Sequence, residues 1–521
     1  MNPPLTKVRA VCCAGLCAAA AGGCNDLIGL EVGQEDPIEA DAGSSSGGSS
    51  VSGSSVSGSS AVSAVSSGAG GGNPACDEAE GAALVEPSGL WGDTVGASVG
   101  GIAALDDGVT ALVNDTASLT ATSSFTVARW SASGARESEL PASASGVRGT
   151  HLAVNPGVAF VAGESTASVR LSGTECHVGP QGGVSHRPSF VAALDSAGQC
   201  TWAWSVDFDG GTTPRGLAAT SGAVVLAVES AGKGRSYGPC VIRRTVAEGA
   251  SLIAALDPES GACKWDLNLG DPAAVSVRAL VASATAGSLT VVGSYNAANG
   301  AVAVGEDPSR TAEGHGLFVA RYALDDGAPQ QVTTLRVEGD RRVEPRGVAQ
   351  LPDGDLVLVG NYAGPLDLGE ACPRTPDAGN TDNVFVARVS EHGAVWSRGF
   401  GDASTAQRAS GVTVDGAGSI HVTGLFSGEL DLGSAMKLAA PAGKQAGFLM
   451  KLDAAGHLVS ASRLEGDTAD LQVVAAAGAA GGPLVVAGNV TGTLDLHLGD
   501  LLGGDADAGP RGFVSRLADA P

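Results

Sequence analysis

The sequence predicts an all-β fold, a seven-bladed β-propeller made of four-stranded repeats of about 65 residues and closed by an N-terminal strand. Three observations predict it. One phrase recurs seven times: TVARWSASG at Thr126, FVAALDSAG at Phe190, LIAALDPESG at Leu252, FVARYALDDG at Phe318, FVARVSEHG at Phe385, FLMKLDAAG at Phe448 and FVSRLADA at Phe513, spaced 62 to 67 residues apart. A second phrase precedes each copy, ending at Asp115, Gly163, Val228, Gly293, Gly360, Gly424 and Gly488, so two series share one period. The third observation concerns the ends. The chain finishes on the seventh copy with no strand after it, whereas LVEPSGLWGD (Leu84–Asp93) reads as a strand with no repeat before it.

Composition agrees. The 521 residues include 78 Gly and only 4% aromatics, which suits short strands joined by dense turns. Each unit reads as four strands. Strand A is short, as in GVAQL at Gly347 or GVTV at Gly411; strand B is the second phrase, as in DLVLVG from Asp355; strand C is the FVAR phrase; strand D follows a turn, as in AVWSRGF. Short β-branched runs bounded by Gly and Asp clusters carry the strand signal. One strand D at the start and six between repeats supply seven, matching seven A–B–C sets. The uncharged part of Leu471–Leu494 contains Pro483 and aligns with strands A and B, so it is not a transmembrane span.

Residues 1–24 place Lys7 and Arg9 before an apolar run that is too short to span a bilayer, the layout of an export signal. The run ends AAGGC, which resembles a bacterial lipoprotein signal. That resemblance implies lipidation (palmitate) of Cys24 and, with Asn25 following it, an outer-membrane destination; ordinary cleavage near Ala20 and secretion is the other reading. Residues 25–76 form a tether, almost all Ser, Gly, Ala and Val from Ala42 to Gly72, and cannot bury enough apolar surface to fold. The propeller domain takes 77–521.

The repeat phrases VTGLFSGELDLG at Val422 and VGNYAGPLDLG at Val359, with the FVAR phrases after them, resemble the bacterial β-propeller repeats (SBBP type) of exported and lipid-anchored surface proteins. The resemblance implies a propeller and a surface location, and no defined reaction.

Cysteines give the firmest local reading. Cys176 and Cys200 occupy the same places in one unit as Cys240 and Cys263 in the next, one 12 or 13 residues after strand B and the other two before a Trp. Equivalent pairs in an exported chain predict two disulfides within blades; no CxxC or His cluster supports metal binding instead. Cys372 stands in the first of those places in unit five, opposite Ala394, which leaves Cys76 as a partner for a third bridge. Asp367, Asp431 and Asp495 match across three units, but Arg170 and Ala303 break any ring of calcium ligands, and they read as outward-facing strand residues. ALDPESGACKW (Ala255–Trp265) resembles the docking motif of quinone-dependent propeller dehydrogenases, and Trp202, Trp265 and Trp396 read as packing between blades.

The formal charge of −25 comes without a basic stripe, which excludes a nucleic-acid partner. Scattered His, and the absence of a nucleophile elbow or phosphate loop, point away from the common catalytic motifs and from a cofactor. The expected function is non-catalytic binding or scaffolding at the cell surface, of a protein or glycan. A glycan hydrolase or lyase, or an envelope-protein assembly factor, are the alternatives. Long connections between strands B and C place the expected ligand surface on their face of the propeller, together with the bridges.

Overall fold

The structure, a computed structural model, describes residues 82–86, 89–105, 108–142, 145–172, 176–180, 187–206, 211–230, 240, 251–269, 275–303, 311–337, 342–369, 373–374, 381–433, 436–477, 484–496, 502–503 and 509–518. The expected signal with Cys24, the tether, Cys76 and Cys372 lie outside these residues. Every regular element among those described is a strand, and no helix is long and apolar enough to cross a membrane.

Seven four-stranded antiparallel blades follow one another. Blade one comprises Ser98–Leu105, Gly108–Asn114, Phe125–Ser131 and Arg136–Ala142; blade two Val147–Asn155, Val158–Ser165, Ser189–Asp195 and Cys200–Val206; blade three Thr212–Ala219, Val224–Ser230, Ser251–Leu256 and Cys263–Leu269. Blade four comprises Val275–Ser283, Ser288–Ala303, Thr311–Ala323 and Pro329–Val337, and blade five Val343–Gln350, Leu356–Tyr362, Asn383–Ser390 and Gly393–Phe400. Blade six has Gln407–Val414, Ile420–Ser427 and Gln445–Leu452; its strand D is the first part of Leu458–Ala477, which continues without a break as strand A of blade seven. Leu484–Asp495 and Arg511–Leu517 follow, and the fourth strand of that blade is N-terminal Gly89–Val95, antiparallel to Arg511–Leu517 with Thr94 opposite Phe513. The ring is thus closed as the unmatched ends imply. The closing strand starts later than Leu84, because Ala83–Leu84 lies instead parallel to Ser460–Ala461 on blade six.

The two sequence series are two halves of one contact. Gly163 pairs with Phe190, Gly293 with Phe318, Gly360 with Phe385, Gly424 with Phe448 and Gly488 with Phe513. A Cβ on Gly293 would stand 2.5 Å from the Phe318 ring, and one on Gly424 2.5 Å from Phe448, so the phenyl lies over bare backbone. In blade three, Val228 replaces the glycine and Leu252 the phenylalanine, a smaller side chain where the floor is higher. Each buried Phe contributes about 2–3 kcal/mol of apolar burial at most. Seven apolar clusters, one at each blade interface, form the described core; that between blades seven and one joins Val95, Val485 and Val514 to Val99, Val109 and Trp130.

Indoles pin the blades further. Trp202 Nε1 donates to Pro258 O at 2.9 Å, Trp265 Nε1 to Leu324 O at 3.0 Å and Trp396 Nε1 to Ala454 O at 3.2 Å, each reaching the C–D turn of the next blade. Their rings lie against left-handed glycines there, Gly261, Gly327 and Gly456. Trp91 does the same across the closure, with Gly134 and Ala132 O. The expectation of packing between blades holds for all three tryptophans. Each dock joins two repeats, however: Gly261 and Trp265 share one repeat, yet Gly261 receives Trp202 from the blade before and Trp265 goes on to Gly327 in the blade after.

Candidate functional site

Strand A of each blade touches strand A of the next, and the circuit closes between blades seven and one around a central channel. In blades one to six the pairing of strand A with strand B skips one residue: Gly100, Thr150, Arg215, Arg278, Arg346 and Ser410. Such a bulge leaves its extra residue out of the ladder and re-aims its side chain. In blade seven, by contrast, Gly488 pairs with Val473 in unbroken register and the irregularity falls at Thr468/Asp470.

Three adjacent blades therefore set Arg215, Arg278 and Arg346 at one level of the channel, where they line a cavity of about 290 Å³ with Thr150 and His151 and, among the described residues, with no carboxylate on the lining. Just behind stand two acids. Glu229 Oε2 accepts from Arg215 Nε and Nη2 at 2.9 Å and from Ser276 Oγ at 3.2 Å. Glu344 is shared, its Oε1 3.2 Å from Arg278 Nη2 and its Oε2 3.0 Å from Arg346 Nη2. Burial lowers the Arg215 pKa from its ordinary value; Glu229 opposes this and the charge of Arg278 adds to it. Burial likewise lowers that of Arg346, Glu344 opposing and Arg278 and Arg408 adding. Arg215 and Arg346 nonetheless stay cationic at neutral pH, because a guanidinium starts so high.

Glu229 occupies the strand-B position held elsewhere by Asn114, Asn361 and Asn489. Those amides accept from the next blade's strand A: Gly149 N at 2.9 Å, Ala409 N at 2.9 Å and Val99 N at 2.8 Å. The inner rim thus uses a buried Asn where it needs a strut, and an acid beside the arginines.

One step below the bulge come Gly101, His151, Gly216, Ala279, Gly347 and Gly411, and one further Ile102, Leu152, Leu217, Leu280, Val348 and Val412, all on the cavity wall. The small residues are a packing requirement. A Cβ on Gly101 would lie 2.9 Å from Leu152 N, and one on Gly216 3.0 Å from Leu280 Cγ. An arc of arginines therefore stands over a collar of half-buried aliphatic side chains.

The cysteine pairs expected from sequence are joined, Cys176 to Cys200 and Cys240 to Cys263. Their position corrects the expectation. The bulged end of each strand A lies beside the root of the B–C connection, since Thr212 pairs with Ser230. Cys200 and Cys263 open strand D at the C–D turn, opposite Leu194 and Leu256, at the other end of the blade. In blade two the connection doubles back along the outer edge: Cys200 N donates to Ser172 O at 2.8 Å and Gly179 N to Ser205 Oγ at 2.7 Å. The Cys176–Cys200 bridge fastens this strap away from the channel mouth, and Cys263 holds Cys240 at the same end of blade three. Cys240, Cys263 and Asp266 form the one grouping of metal-ligand residue types among the described residues, and its two sulfurs are bonded to each other.

Asp367 and Asp431 close local turns by accepting from Gly369 N and Gly433 N, each at 2.8 Å, and Asp495 pairs with Glu465 across strands; the three sit in separate blades. None lines the cavity. The arginine arc is what the sequence reading missed. Its trace is an Arg followed by a small residue and an aliphatic one, at Arg215, Arg278 and Arg346, ahead of three successive copies of the second phrase.

No protein-family model matches the chain, and no curated protein does. Solved structures of similar arrangement include the Dos1 propeller, with TM-score 0.38 and 10% identity over 82% of this chain and 94% of that one. BamB from Moraxella catarrhalis scores 0.35 with 13% identity over 83% and 97%. The quinohemoprotein alcohol dehydrogenase from Comamonas testosteroni scores 0.37 with 10% identity over 84% and 79%. These likenesses do not bear on activity, and the propeller assignment rests on the strand pairings themselves.

Proposed function

We propose that this chain is an exported, non-catalytic binding propeller of the bacterial β-propeller-repeat type, anchored through lipidated Cys24 to the outer membrane and lifted from it by the tether of residues 25–76. Its ligand site is the channel mouth on the face where the B–C connections are rooted. The observation that carries this reading is the cavity itself, in which one bulge position turns Thr150, Arg215, Arg278 and Arg346 of four successive blades onto a shared wall. Binding is favoured over catalysis because the carboxylates behind the arginines among the described residues, Glu229 and Glu344, are engaged by guanidiniums. The partner is a protein or glycan met at the cell surface.

The test uses the soluble chain carrying Cys24→Ala, screened on a glycan array and by capture from envelope extracts, beside a Thr150→Trp variant that fills the mouth. Ligands held by the first and lost by the second support the reading. Undiminished binding by Thr150→Trp removes it, and release of shortened glycans by the wild type replaces it with the hydrolase or lyase alternative. Radioactive palmitate reports on the anchor: label on the wild type that disappears with Cys24→Ala is expected, and label surviving that change excludes it.

A further inference from the structure

We infer that the channel mouth is a site for an amphipathic organic carboxylate, whose head is held by Arg215, Arg278 and Arg346 and whose apolar body rests on the aliphatic collar beneath them. This rests on the reading of the mouth as the ligand site and adds the chemistry.

Charge is the first argument. The chain carries a net −25, yet among the described residues the charged groups on the cavity lining are three guanidiniums. Among the described residues the three lining guanidiniums face two acids behind them, Glu229 and Glu344, and the neighbouring Arg408 is paired with Asp382, which leaves one positive charge for a monoanion. The charge of Arg278 also disfavours those of Arg215 and Arg346, a repulsion that a bound anion relieves. Donor geometry is the second. Arg278 gives Nη2 to Glu344 Oε1 at 3.2 Å and stands on the cavity lining between Arg215 and Arg346. A guanidinium fork matches a planar carboxylate through two parallel N–H donors.

The collar decides what the carboxylate is attached to. Ile102, Leu152, Leu217, Leu280, Val348 and Val412 repeat one position in six blades and are all partly exposed to the channel. A hydrated sugar acid would leave that surface wet, whereas an alkyl or branched apolar body covers it. The same chemistry is presented by a free fatty acid and by a peptide C-terminus ending in an apolar residue.

The experiment titrates the soluble Cys24→Ala chain calorimetrically at constant ionic strength with sodium octanoate, sodium acetate, octanol, sodium phosphate and a peptide ending in Leu-Leu. Saturable one-to-one binding of octanoate is expected, with acetate and octanol each at least tenfold weaker and phosphate weaker still; a peptide that competes with octanoate identifies a protein C-terminus as the source. Arg278→Gln should weaken octanoate about ten- to hundredfold, the size of a lost charge-assisted hydrogen bond. Equal affinity for acetate and octanoate, tighter binding of phosphate, or an unchanged constant in Arg278→Gln overturns the inference. The ligand-side comparison needs no variant and decides the matter should Arg278→Gln fail to fold. If octanoate does not bind, yet ligands from the array or capture screen are lost in Thr150→Trp, the mouth remains the site and only its chemistry is wrong. If octanoate binds Thr150→Trp undiminished, both readings fall.

Discussion

Gly456→Ala is the sharpest probe of how the ring holds together. Gly456 has φ +84°, and a Cβ there would stand 2.8 Å from Trp396 Cδ2 and 2.9 Å from Cε2 and Cε3. Trp396 is 1% exposed and donates to Ala454 O in the same turn, while Arg398 Nε donates to Gly456 O at 3.1 Å. The indole therefore has no empty space to move into. The left-handed backbone alone costs an alanine about 1–2 kcal/mol, less about 0.4–1 kcal/mol regained from a stiffer unfolded chain. Overpacking adds about 1–3 kcal/mol, and a displaced indole N–H about 1 kcal/mol more. The control is Gly443→Ala in the same blade, where φ is +73° and nothing lies within 4 Å, so that only the backbone cost applies. Urea unfolding followed by far-ultraviolet circular dichroism should show Gly456→Ala less stable than Gly443→Ala by roughly 2–4 kcal/mol. Adding Trp396→Val should make the second change much cheaper than it is alone, since the smaller side chain clears the methyl. Equal losses in the two glycine variants, or strict additivity with Trp396→Val, would refute the docking argument.

Other expectations follow from the same contacts. Intact-mass analysis after thiol blocking without reduction should leave Cys176, Cys200, Cys240 and Cys263 unmodified, and Cys263→Ser should destabilise by about 2–4 kcal/mol; blocked thiols at these positions would exclude the bridges. Deleting residues 77–97 removes the closing strand and exposes the edge of Arg511–Leu517, so the protein should associate or unfold, as read by light scattering; a monomer of unchanged stability would show that closure lies elsewhere. Burial would raise the Asp415 pKa, but hydrogen bonds from Ser419 N and His421 and the charge of His421 outweigh it, so the folded value falls below the ordinary 3.8. Its contribution is then fully present above that ordinary value and is lost as pH falls from 3.8 through the folded pKa. Asp415→Asn should be less stable than the wild type at neutral pH, with the gap closing in acid; a gap constant across that range would contradict the assignment.

Much of this architecture was legible because propeller repeats are local in sequence. Gly163 and Phe190, or Gly424 and Phe448, lie on adjacent strands of one unit, so each cross-strand contact prints itself as a pair of phrases at fixed spacing. The missing strand after Phe513 and the extra one before the first repeat predicted closure for the same reason. Pairing of Cys176 with Cys200 also follows from equivalence between units.

The remainder depended on groups that meet from different blades. Trp396 and Gly456 form one dock from two repeats, a pairing that the phrases within a single repeat do not display. The bridges could be paired from sequence but not located, because the long connection of blade two turns back along strand D through hydrogen bonds from Cys200 N to Ser172 O and from Gly179 N to Ser205 Oγ, which leave no repeated pattern in the sequence. The channel arc is the clearest case. By itself the sequence determined the number of blades, their strand order and the strand that closes them, since these follow from hydrophobic period and turn spacing. Only the tertiary structure decided that Arg215, Arg278 and Arg346 share one mouth. A one-residue slip in the ladder aims each side chain at the axis, and closure of the ring brings three cations together over an apolar collar.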